Sequence, residues 1–202
     1  MPFRIKNYFA WFLLAAGSML LAARPADTRA AAWDALRART PEAAHLNHAL
    51  AVEAIMRELA GKNDDADQWA LAGLVHDIDI DSTARDLSRH GIVAEPILRN
   101  LGISETVIHA VKAHDDHTGL ARTSRLDHAL YCSDQMYWLI VGASISFPSE
   151  KLRAAVAEDV WERIEAKAGK VTAESAQIGL TAPQVLAAAL SGMRKAADGL
   201  RF

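Results

Sequence analysis

The sequence contains one cysteine, Cys132, in 202 residues, which excludes an intramolecular disulfide and any cysteine-rich zinc site. Nothing in it requires an oxidising compartment. There is no run of lysines and arginines, and the net charge is -3; this argues against duplex nucleic acid as a main partner but leaves small anions open. No internal repeat, low-complexity tract or alternating strand pattern stands out after Thr28. Charged residues make up 23 % and apolar residues 51 % of the chain, unlike a disordered tail or a polytopic membrane protein.

Only one long apolar run occurs. It extends from Tyr8 to Ala23, with Arg4 and Lys6 before it and Arg24 and Pro25 after it. Three readings fit residues 1–27: a slightly short membrane anchor, a secretory signal, or a start artefact with Met19 as the true initiator. Under the anchor reading the later arginines, Arg24, Arg29, Arg37 and Arg39, keep the body on the cytoplasmic side. Under the signal reading the protein is exported.

Helical periodicity dominates the rest, so the expected fold class is all-α. Thr40, Pro41 and Glu42 read as the cap, proline and acidic first turn of a helix running to about Ala60, with His48, Val52, Ile55 and Leu59 on its apolar face. A second helix starts near Asp67 and ends at His76 and Asp77. A third spans about Ile92 to Asn100, a fourth is capped by Ser104 and ends near His114, and a fifth runs from Leu126 to about Gly142. Further packing helices follow after residue 145, one opened by the capping box from Thr181 to Gln184.

Three features are chemically out of place. His48 lies on an apolar stripe. His76 and Asp77 are adjacent at a helix end, where two side chains can converge on one cation, although a histidine there is also favoured by the helix dipole alone. Asp134 sits mid-helix among Leu130, Tyr131, Trp138 and Leu139, and a buried carboxylate needs a cationic partner. An arginine would serve. A metal held jointly with His48, His76 and Asp77 gives the three oddities one cause. His90 and His114, both at element ends, supply ligands for a second ion with Asp77 as the bridge, and Asp115 or His117 could complete that shell. The alternation Asp77, Asp79, Asp81 is not a calcium loop, because its sixth position is Ser82 and its twelfth Ser88. His45 reads as a near-surface first-turn residue, His109 is off the face of His114, and His128 has no visible partner.

In order and context these residues resemble the HD superfamily of metal-dependent phosphohydrolases. The carriers are His48 to Val52, the doublet within Leu71 to Ile78, and Ala129 to Asp134; His90-Gly91 and Val111 to His114 resemble the extra histidines of the HDIG-type, two-metal branch. The resemblance covers roughly residues 33–142. It implies a helical bundle in which His48, His76, Asp77 and Asp134 hold one divalent transition ion (Mn, Fe, Co, Ni or Zn) and Asp77, His90 and His114 a second. It divides the chain into a hydrophobic extension (1–27), a metal-binding core (28–145) and packing helices of the same domain (146–202). Hydrolysis of a phosphate ester or anhydride follows, with a nucleotide as the substrate class; the alternative is a catalytically silent nucleotide-binding regulatory module. Asp79 is the candidate outer-shell base, and Arg85, Arg89, Arg122 and Arg125 are candidate phosphate contacts. The lysine that often follows the doublet is absent, as is the Gly-Tyr-Pro signature of cyclic-di-GMP phosphodiesterases.

Overall fold

A computed structural model describes residues 25–144 and 157–200. Among the described residues every regular element is helical. The α-helices are α1 (Pro25–Arg39), α2 (Ala43–Leu59), α3 (Ala66–Val75), α4 (Ile80–Thr83), α5 (Ala94–Asn100), α6 (Glu105–Ala113), α7 (Arg125–Ser144), α8 (Ala157–Ile164), α9 (Gly169–Ser175) and α10 (Ala182–Leu200). Short 3-10 turns occupy Leu87–Arg89, Asp116–Thr118, Glu165–Lys167 and Ala176–Ile178. The all-α expectation holds. The membrane and signal readings fall on residues 8–23, outside the described residues, within which no helix is long and apolar enough to cross a membrane.

Local chemistry sets the helix ends. Asp65 caps α3 by accepting from the N–H groups of Asp67 and Gln68 at 3.0 and 3.1 Å, and Ser104 caps α6 by accepting from Val107 N–H at 3.4 Å. At α10 the capping box forms in both directions: Thr181 N–H donates to Gln184 Oε1 at 2.8 Å, and Gln184 N–H to Thr181 Oγ1 at 3.4 Å. The expected cap of α2 is wrong. Thr40 is buried, its N–H continues α1 by donating to Leu36 O, and Glu42 in an extended conformation precedes the first turn of α2. Helix α1 had no counterpart in the sequence reading, and it begins at Pro25, ahead of the 27/28 boundary.

Helix α2 is the centre of the bundle. Its buried residues Ala49, Val52, Ile55 and Met56 meet α3 on one side and α10 on the other. Both crossings are unusually close: a Cβ on Gly73 of α3 would lie 2.7 Å from Val52 O, and one on Gly192 of α10 would lie 2.7 Å from the Ala54 backbone. One continuous apolar core joins Leu36, Ile55, Leu74, Leu98, Val107, Leu130, Val160, Val171 and Leu186, so the helices after residue 156 belong to the same core as α2 and α7. Each such side chain contributes about 1.5–3 kcal/mol by leaving water. That rigid packing holds α2, α3, α6 and α7 in a fixed relation, and the polar cluster described next lies between them.

Candidate metal centre

More than half of the buried polar residues gather in one cluster: His48, His76, Asp79, Thr83, His90, His114 and Asp134. His48 projects from the interior of α2 and Asp134 from the middle of α7. His76 is the C-cap of α3, His114 the C-cap of α6, and His90 the C-cap of the turn Leu87–Arg89. Three element C-termini thus converge with their carbonyl ends toward one place, an arrangement that favours positive charge there.

The same local device orients two of these imidazoles. His76 Nδ1 donates to Gly73 O at 2.8 Å, and His114 Nδ1 donates to Val111 O at 2.6 Å. Each satisfies a last-turn carbonyl that lacks a helical partner and leaves Nε2 as the free donor atom facing the cluster. His48 is held differently. Its Nδ1 is buried without a hydrogen-bond partner among the described residues, and the ring is clamped by Tyr137 and Trp138, whose centroids lie 4.4 and 5.0 Å away.

The donor atoms then fall into two groups that share Asp77. Around Oδ2 of Asp77, His48 Nε2 is at 3.3 Å and His76 Nε2 at 3.4 Å; the two imidazole nitrogens are 3.0 Å apart, and Asp134 Oδ1 lies 3.1 Å from His48 Nε2 and 3.8 Å from His76 Nε2. Around Oδ1 of Asp77, His90 Nε2 is at 3.0 Å and His114 Nε2 at 3.5 Å. Metal–ligand bonds of about 2.0–2.2 Å put neighbouring donors roughly 3.0–3.5 Å apart, so both groups fit a divalent ion of the imidazole–carboxylate type. The arginine alternative for Asp134 finds no support: among the described residues its partners are His48, His76 and the Gln135 amide.

Charge in the cluster follows from this geometry. Burial alone would raise the Asp77 carboxyl, but the charge of His76 and hydrogen bonds from His114, His48 and His90 hold it well below the usual range. Asp134 behaves likewise: burial opposes ionisation, and His48 and His76 overcome it. Burial lowers the imidazoles, yet Asp134 and Asp77 outweigh it and push His48 up to about 9, and Asp77 and Asp79 push His90 up to about 10. A divalent ion must displace those protons. Metal affinity is therefore expected to rise with pH, by up to about tenfold per unit for each proton released, and to level off only above pH 9–10. Chelator competition at a series of pH values tests this; an affinity flat between pH 6.5 and 8.5 would contradict it.

Asp79 does not fill the role of outer-shell base. It is buried, its Oδ2 accepts from the N–H groups of Gly91 and Ala94 at 2.9 Å each, and its Oδ1 lies 2.9 Å from His90 Nδ1. The same nitrogen is 3.2 Å from Thr83 Oγ1. Asp79 therefore ties the loop to the start of α5 and stands behind His90, which faces Asp77 with its other nitrogen. Gly91 is required for that path: its φ is +75°, and a Cβ there would sit 2.6 Å from Val111 O. Such orienting partners typically contribute 10–100-fold in metal affinity. Asp79→Ala is expected to weaken binding of one metal equivalent by that factor while the His48–His76 group keeps its ion, measured by stepwise metal titration.

Two of the four arginines are engaged elsewhere. Arg122 lies over the Tyr131 ring at 4.0 Å and pairs with Glu174 at 2.9 Å and Asp116 at 3.1 Å, joining α9 to the turn after His114. Arg125 donates to Ile178 O at 2.6 Å and approaches Asp64 at 3.4 Å. Both are structural ties between the ligand-bearing half of the chain and the C-terminal helices. Arg85 and Arg89 are exposed and have no ion pair among the described residues. Asp115 and His117 pair with each other at 2.6 Å, and His117 is mostly exposed, so neither completes the second group. His128 pairs with Glu174 and His109 with Asp127. His45, read as a surface residue, is half-buried with Nδ1 at 2.9 Å from Asp81 Oδ1.

Fold and site together define a helical protein with a paired histidine–aspartate cluster suited to divalent metals. Residues 46–137 match the family model of the HD domain, a stretch that contains all six residues of the cluster. HD domains share a helical fold and are mostly metal-dependent hydrolases. Comparison with curated proteins and with solved structures returned no match. The sequence reading missed the aiming role of Asp79, the clearance at Gly73 and Gly91, and the clamp on His48. Of these, only the clamp left a trace in the sequence, since Tyr137 and Trp138 stand three and four residues after Asp134 on one helical face.

Proposed function

We propose that this chain is a two-metal phosphohydrolase that cleaves a phosphate ester or anhydride in a small phosphorylated substrate of the nucleotide class. The observation that carries the reading is the Asp77 carboxylate, which faces His48 and His76 with one oxygen and His90 and His114 with the other. His48, His76, Asp77 and Asp134 would hold one ion, and Asp77, His90 and His114 the second. Bound Mn, Fe, Co, Ni or Zn would supply an ionised water at neutral pH and positive charge beside the phosphoryl oxygens. The protein's part is to keep the donors apart at fixed distances, through the carbonyl tethers on His76 and His114 and the Asp79 contact on His90. Arg85 and Arg89, exposed beside His90, are the cationic side chains free to reach a phosphate. The arginine-rich flank after residue 23 supports a cytoplasmic location, with residues 8–23 as a membrane attachment; export is the alternative.

Metal quantification on the full chain tests the reading, followed by phosphate release from a panel of nucleotides and dinucleoside polyphosphates with and without chelator. One to two equivalents of transition metal and chelator-sensitive release are expected. Metal-free active protein would overturn it. So would metal-loaded protein that binds nucleotides tightly and releases no phosphate, which is the behaviour of a regulatory module.

A further inference from the structure

Trp138 is one of two large apolar side chains that the described residues leave exposed, and it is 53 % accessible. Its position is not that of a stray surface residue. The indole lies at 32° to the His48 ring with centroids 5.0 Å apart, so it borders the metal group directly. Trp138 also lines a cavity of about 190 Å³ with Leu139, Gly142 and Ala143 of α7 and Arg163, Ile164 and Lys167 from α8 and the turn after it. Lys167 has no ion pair among the described residues. The cavity is smaller than the roughly 300 Å³ that whole small-molecule sites start from, and it therefore suits one moiety of a substrate whose reacting part lies elsewhere. An indole, the small residues Gly142 and Ala143, and the Lys167 ammonium in one lining together suit a flat ring with hydrogen-bond acceptors on its edge.

We propose that Trp138 is the specificity-determining platform on which the substrate's heteroaromatic ring stacks, with Lys167 toward the hydrogen-bond acceptors on the ring's edge, while the phosphate to be cleaved lies at the metal groups. The proposal rests on the phosphohydrolase reading and locates the ring subsite of that same centre. It also gives the C-terminal helices a part in recognition, because Lys167 lies outside the stretch matched by the HD domain.

The test compares binding of adenosine monophosphate and inorganic phosphate to the metal-loaded full chain by calorimetry, in wild type, Trp138→Ala and Trp138→Phe. Wild type is expected to bind the nucleotide at least about tenfold more tightly than phosphate, Trp138→Ala to lose that margin while phosphate affinity stays within about twofold, and Trp138→Phe to keep most of it. Lys167→Ala should weaken the nucleotide selectively. Metal content is measured on the same samples, because Trp138 also clamps His48. Loss of metal, or equal weakening of both ligands, would assign the residue a purely structural role and overturn the proposal; so would equal affinities in wild type. Binding does not require turnover, so a protein that releases no phosphate yet shows the ring-dependent margin would defeat the enzymatic reading and leave the subsite standing.

Discussion

Asp77→Asn is expected to strip both ions and to lower phosphate release by at least about a thousandfold, while the helical circular dichroism spectrum remains native. Residues that merely orient a ligand typically cost 10–100-fold in affinity or activity, and Asp77 is a direct donor to both groups, with one oxygen 3.3–3.4 Å from His48 and His76 and the other 3.0–3.5 Å from His90 and His114. An amide keeps the shape but presents one neutral oxygen and one N–H donor, so one group necessarily faces a hydrogen instead of an acceptor. The fold should tolerate the change because the side chain packs against imidazoles that can become neutral. With the carboxylate gone, the influence that pushes His48 and His90 upward is weakened. Metal analysis by mass spectrometry beside a phosphate-release assay decides the matter, and a variant that retains two equivalents and full activity would remove Asp77 from the centre.

Gly73→Ala should be the most damaging single methyl in the protein. Its Cβ would stand 2.7 Å from Val52 O and 2.8 Å from Glu53 N, all backbone atoms of α2. No rotamer change relieves such a contact, so α3 must lift away from α2 at their closest point. Overpacking of this kind costs about 1–3 kcal/mol, which in a chain of this size lowers the melting temperature by roughly 2–12 °C. The strain also reaches the site. Gly73 O is the acceptor that fixes His76, and His76 must lie 3.0 Å from His48 across the same crossing. Metal affinity is expected to fall with stability. Gly142→Ala is the control: a Cβ there meets nothing within 4 Å, and alanine in an exposed helix should stabilise by up to about 1 kcal/mol. Equal melting temperatures for the two variants would show that α2 and α3 are not in close contact at Gly73.

Asp134 was legible because its helix is apolar on most sides and an acid in that setting demands a partner. His76 and His114 were legible for a related reason, since each ends a helical stripe at a point where the chain must turn. Helix α1 escaped because its alanines give no marked apolar stripe, so burial of Ala32 and Leu36 could not be inferred from periodicity. The partners of Arg122 and Arg125 escaped for a different reason. Arg122 and Arg125 look like exposed cations near the ligand segments, but Glu174 and Ile178, which engage them, lie 52 and 53 residues further along the chain. Asp79 was ambiguous for want of a direction. In the run from Asp77 to Asp81 the chain leaves α3 and enters the short α4, so no single period says which carboxylate turns toward the ligands and which turns behind His90.

By itself the sequence determined the helical class, the types of donor residue and the placement of His76 and His114 at helix ends and of His48 and Asp134 within helices, because these depend on periodicity, capping and the cost of burying charge, all local properties. Tertiary structure alone decided which oxygen of Asp77 faces which imidazoles, that Asp79 aims a ligand instead of acting as a base, and that two arginines tie the C-terminal helices down. Those outcomes depend on separations of about 3 Å between atoms on different helices. Such separations are set by how closely α3 crosses α2 at Gly73 and how closely the turn at Gly91 approaches α6, and packing geometry of that kind has no period along the chain.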